Sequence, residues 1–124
     1  MLPSEQIASF LDFVKECKAE YERNVTEVHK FDRQQLDQLH DLEFANNYEE
    51  RCRLATRIHN DRLTRRAHKD RVALTKEIAF CADKQNKQFL DRLGVLLNKQ
   101  QQIEEYVNSE RHYNRRVGDS DADS

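Results

Sequence analysis

Apolar side chains along this chain recur every three or four residues and rarely alternate, which is the period of a helix and not of a strand. One track reads Ile7, Val14, Tyr21, Val28, Gln35 and Leu42; a second reads Leu11, Lys18, Val25, Asp32 and Leu39. Phe10, Cys17 and Phe31 widen the stripe. Held over about forty residues, the pattern predicts a helix of about 60 Å with a narrow seam. Lys18, Asp32 and Gln35 interrupt that seam and predict local kinks or splaying. Pro3 suits a first helical turn and Ser4 its cap.

Asn46-Asn47 breaks the pattern, and Asn47 with Glu50 has the N-x-x-E spacing of a capping box. A second helix is predicted from Tyr48 to about Ala82, with Tyr48, Cys52, Ala55, Ile58, Leu63, Ala67, Leu74, Ile78 and Cys81 as its seam. The polar stretch 83–87 reads as a kink or short loop. A third helix follows with Phe89, Leu90, Leu93, Leu96, Leu97, Ile103 and Tyr106 or Val107, and Gly94 inside it costs about 1 kcal/mol.

The expected fold is therefore all-α: a long antiparallel helical hairpin plus a third helix, coiled-coil-like and oligomeric. Helices are expected at about 4–45, 48–82 and 86–110, within a single helical domain covering 1–117. The end, 118–124, reads as a disordered acidic tail.

Composition sharpens this reading. Only 37% of the 124 residues are apolar while 35% are charged, so apolar groups must be concentrated in stripes. Two Gly and one Pro leave little material for the turns of a β fold. Net charge is −2 but unevenly spread: −5 over residues 1–47, +4 over 48–82 and −1 over 83–124. An acidic first helix and a basic second one favour folding back as a hairpin, although each exposed ion pair contributes only a few tenths of a kcal/mol. Cys17, Cys52 and Cys81 are odd in number and lack CxxC spacing, so they are expected to be reduced, small seam residues in a cytoplasmic protein. The first residues have neither a basic nor an apolar leader segment, and no apolar run approaches the roughly 20 residues that span a bilayer.

Catalytic chemistry finds little support. Asp37-x-x-His40 places a carboxylate and an imidazole on one helix face, but di-metal helical sites need a second such step and further carboxylates. No acid has another acid three residues on, which argues against the E-x-x-E magnesium sites of helical nucleotide pyrophosphohydrolases. His40-Asp41 lacks the companion ligands of a metal phosphohydrolase. No G-x-S-x-G turn, phosphate-cradling loop or nucleophilic cysteine motif is present. No enzyme activity, cofactor or metal is expected.

One cluster stands out. Arg57, Arg62, Arg65, Arg66, His68, Lys69 and Arg71 fall within fifteen residues of the second helix, opposed only by Asp61 and Asp70. At 100° per residue, Arg62, Arg65, Arg66 and Lys69 share one broad face. Guanidinium groups grip carboxylates and phosphates, so the face is a candidate site for an acidic protein, a nucleotide or a nucleic-acid backbone. The plainer alternative is a solvated face paired with Glu22, Glu27, Asp32 and Asp37 of the first helix. A smaller group, Arg111, His112, Tyr113, Arg115 and Arg116, precedes the tail; Tyr113, Arg115 and Arg116 are second binding candidates, or the group is simply a basic helix end. Phe10, Phe13, Tyr21, Phe31 and Phe44 read as core or oligomer seam; Phe10 and Phe13 are not both buried easily by one partner helix.

From Tyr21 to Val117 the chain resembles small helical uncharacterised proteins encoded by phages and prophages of Firmicutes. The resemblance is carried by Leu36-Asp37-Gln38-Leu39-His40-Asp41-Leu42-Glu43, Tyr48-Glu49-Glu50-Arg51, Leu54-Ala55-Thr56-Arg57, the stretch Arg62-Leu63-Thr64-Arg65-Arg66-Ala67-His68-Lys69-Asp70, and Glu110-Arg111-His112-Tyr113-Asn114-Arg115-Arg116-Val117. It implies a phage accessory protein that binds and inhibits a host defence component, a CRISPR effector or a nucleotide immune signal, without catalysis. The partner would be a host protein or a phosphate-bearing ligand. A structural coiled-coil oligomer and a nucleic-acid-binding accessory protein are the alternatives.

Overall fold

The computed structural model describes residues 2–109. It contains three helices: α1 (Pro3–Glu43), α2 (Tyr48–Cys81) and α3 (Lys87–Asn108). Both α2 and α3 pack on α1, and they make no helix–helix contact with each other. The chain is thus an antiparallel α1–α2 hairpin whose returning arm is broken, with α3 taking over along the first turns of α1.

The helix ends have local causes. Pro3 occupies the first turn of α1, and the cap position is Leu2, not Ser4. Glu5 reaches back to accept the Leu2 N–H at 3.0 Å. Ser4 instead uses its free first-turn N–H (2.9 Å) and its hydroxyl to hold the Glu104 carboxylate of α3. At the hairpin bend Asn47 caps α2 as its spacing predicts, its Oδ1 accepting from Glu50 N at 2.8 Å. Between α2 and α3 the Asp83 carboxylate accepts the N–H groups of Gln85 (3.0 Å) and Asn86 (3.1 Å), an Asx turn that interrupts the helix.

The hairpin seam is more polar than the apolar pattern predicts. On α1 it steps by four and three through Cys17, Tyr21, Asn24, Val28, Phe31, Gln35, Gln38 and Leu42. Lys18 and Asp32 lie at its margin, so α1 runs uninterrupted where kinks were expected. On α2 the covered stripe is Leu54, Ile58, Asp61, Arg65, His68, Val72, Thr75 and Ala79. The expected α2 seam is therefore largely wrong: Tyr48, Cys52, Ala55, Leu63, Ala67, Leu74 and Cys81 are exposed, and only Ile58 and Ile78 of the expected positions are half-buried. The physical reason is that polar residues on α2 find polar partners on α1. Burying a hydrogen-bonded pair costs little, so polar positions can occupy a seam that periodicity reserves for apolar ones.

Apolar burial is correspondingly small. Val14, Cys17 and Ala79 are the buried apolar residues among those described, and no large side chain is fully buried. Tyr21 meets Phe80 edge-on at 5.4 Å and Phe31 stacks on His68 at 5.9 Å. Phe10, Phe13 and Phe44 remain exposed. Cys17 lies in the seam as expected, whereas Cys52 and Cys81 are on the surface. No helix among the described residues is long and apolar enough to cross a membrane.

Candidate partner-binding surface on the second helix

The register of the hairpin decides which cations of α2 remain available. Five polar pairs run along it. Gln38 donates to Asp61. Arg62 donates to the Gln35 side-chain amide oxygen Oε1 at 2.6 Å, and Arg65 to Asp32 at 2.6 Å. His68 Nδ1 lies 2.7 Å from Asn24 Oδ1, while the Asn24 amide donates to the Glu20 carbonyl at 2.7 Å. With Asn24 so oriented, the imidazole proton belongs on Nδ1. Arg71 closes the ladder on the Glu20 carboxylate.

Two of these contacts favour the charged form of an α1 carboxylate. The hydrogen bond from Arg71 holds Glu20 below its ordinary range, outweighing partial desolvation. The bond from Arg65 does the same for Asp32. Glu104 is lowered chiefly by the Ser4 hydroxyl.

The cationic residues singled out in the sequence therefore divide. Arg65 and Arg71 are committed to acids of α1, and Arg62 is tethered by an amide. Of the acids proposed as partners, Asp32 serves, while Glu27 lies by Lys30 at 3.8 Å and Glu20 acts in a role not anticipated. Arg66 and Lys69 are exposed and have no ion pair or hydrogen bond among the described residues. Arg57 is also exposed, but it stands two heptads before Arg71 and shares the opposite flank of α2. Tyr113, Arg115 and Arg116 lie outside the described residues.

Arg62, Arg65, Arg66 and Lys69 do come together, around a shallow hollow of about 750 Å³ completed by His59, Leu63, Asp70 and Ala73. Leu63 and Ala73 give it an apolar floor, which the sequence reading placed in the hairpin seam or left unassigned. The signal was present: His59, Leu63, Arg66, Asp70 and Ala73 step by four and three, a second stripe beside the buried one. The arrangement can clasp a carboxylate or phosphate at its cationic rim while packing a small apolar group on its floor. It offers no nucleophile–base pair. No group of His, Cys, Asp and Glu able to hold a metal occurs among the described residues; Asp37 and Asp41 are exposed, and the His40 ring leans on Phe44 at 4.8 Å.

No protein-family model matches the chain, and no curated protein or solved structure matches it either.

Proposed function

We propose that this protein acts by stoichiometric binding, using the hollow on α2 to dock an acidic protein surface. The observation that carries the reading is the pair Arg66 and Lys69, left without internal partners beside an exposed apolar Leu63 and Ala73. Arg65 and Arg71 reach acids of α1, whereas Arg66 and Lys69 project away from α1 to a hollow whose one acid is Asp70. A patch mixing cations, an acid and apolar floor suits a protein better than a phosphate polymer. Asp70 within the hollow and the acidic α1 beside it weigh against nucleic acid.

The resemblance to phage-encoded proteins supplies the setting: an accessory protein that blocks a host defence component by occupying its acidic surface, with no turnover. The test is capture from a bacterial extract on immobilised protein, comparing wild type with Arg66→Glu/Lys69→Glu. Wild type retains an acidic protein released by moderate salt, and the variant, equally helical by circular dichroism, loses at least tenfold of it. Equal retention by both proteins would remove the hollow from the account. Retention of nucleic acid with a steep salt dependence would replace the proposed partner class.

A second reading, an assembly protein built from helical seams, is favoured by one specific observation: large apolar side chains are exposed along all three helices.

A further inference from the structure

The stripe of α1 that faces α2 does not stop where α2 stops. Traced back from Tyr21 and Cys17 by steps of four and three, it continues through Phe13, Phe10 and Gln6. Phe80, in the last turn of α2, packs on Tyr21; α2 ends at Cys81 with Ala82 near Leu11 and Val14, and the chain then turns at residues 82–86. The α3 helix does not replace it on the same side. It meets a different face of α1, with Ser4 bonded to Glu104 at one end and Leu11 and Val14 beside Leu90 at the other. Phe10 and Phe13 are consequently left 43% and 49% exposed on a seam that has lost its partner.

On α3, the stripe turned to α1 runs Asn86, Leu90, Leu93, Leu97, Gln100 and Glu104. One position earlier in each heptad stand Phe89, Leu96 and Ile103, which are 57%, 45% and 55% exposed. At 100° per residue this second stripe lags the α1 contact by somewhat under a quarter turn, and Phe10 lags the α3 contact on α1 in the same sense. In antiparallel helices equal lags fall on the same side of the pair. Phe10 and Phe13 of α1 and Phe89, Leu96 and Ile103 of α3 therefore line one continuous apolar face at the end of the molecule away from the hairpin bend.

We infer that this face is half of a four-helix bundle, completed by a second copy of the same chain across a two-fold axis. Three observations choose that occupant. The five side chains, each about half exposed, together with Val107 offer on the order of 600 Å² per chain, close to the roughly 800 Å² per partner of a stable interface. All six are uncharged, and the exposed cations that border them on α3, Arg92 and Lys99, can keep their charged heads in solvent while their stems cover the rim of a face set against itself. Residues 110–124 make a poor filler, because they carry only Tyr113, Val117 and Ala122 as apolar side chains. This face is separate from the α2 hollow, so either can fail without the other.

Sedimentation equilibrium of the full chain tests the inference. Wild type at tens of micromolar is expected to have twice the 14.8 kDa mass of one chain. Phe10→Asp/Ile103→Asp should remain helical by circular dichroism and raise the dimer dissociation constant at least 100-fold. If that variant loses helicity, the milder Phe89→Gln/Ile103→Gln provides the reading, with at least a tenfold rise. A control, Leu36→Asp/Leu63→Asp, changes exposed apolar groups of the hairpin half and should leave the dimer intact. A monomeric wild type, a trimer, or a dimer broken only by the control overturns the inference.

Discussion

Arg65 keeps 19% of its side chain exposed while its Asp32 partner keeps 44%, so the pair sits at the wet margin of the seam. Pairs of this kind contribute little individually and are screened by salt. Their pH behaviour is nevertheless legible. Glu20, Asp32 and Glu104 are each held below their ordinary range when folded and return to it on unfolding. Their contribution is therefore complete at neutral pH and is lost as pH falls through the carboxylate range. Thermal melts should show a midpoint that is level above about pH 5 and falls below about pH 4. A midpoint that rises on acidification would contradict the ladder. Gly94 gives a second residue-scale test. A Cβ placed there meets nothing within 4 Å, so Gly94→Ala adds helix propensity without a clash. Urea unfolding should show a gain of about 0.5–1 kcal/mol.

Among the elements, the hairpin is selected more by polar pairing than by grease. Existence and order of the three helices were readable from period and from the scarcity of Gly and Pro, and the Asn47 cap from its spacing to Glu50. The α2 seam was not readable. Asp61, Arg65 and His68 look like surface residues until Gln38, Asp32 and Asn24 are known to stand opposite. Side-chain pairing across helices depends on register, and a single chain's periodicity does not encode register when both stripes are mixed. The cationic face was half legible for the same reason: the cluster was visible, but which members α1 takes was not. Buried polar pairs typically fix register at a cost in stability. His68→Leu alone should lower stability by about 1–3 kcal/mol, because the buried Asn24 oxygen loses its donor. Asn24→Leu/His68→Leu together should recover that loss in thermal melts while broadening the distribution of oligomers seen by sedimentation. A double variant less stable than the single one would show that the pair contributes through more than mutual satisfaction.

At the scale of the whole molecule, two helices thick everywhere, nearly every residue has a face to solvent, and the chain offers binding surfaces in place of an interior. The middle of α2 presents the hollow with Arg66 and Lys69; the end away from the hairpin bend presents the apolar face of α1 and α3. Everything assigned to these surfaces depends on α2 lying antiparallel on α1 in the register that takes up Arg62, Arg65 and Arg71. Distances between paired spin labels measure that directly, on protein whose native cysteines are replaced by Ala and which is diluted with unlabelled chain. Labels at positions 33 and 64 should lie within about 25 Å, since packed helix axes are about 10 Å apart. Labels at positions 16 and 53, near opposite ends of the hairpin, should be about 40 Å apart at 1.5 Å per residue. A short 16–53 distance, or a long 33–64 distance, contradicts the account.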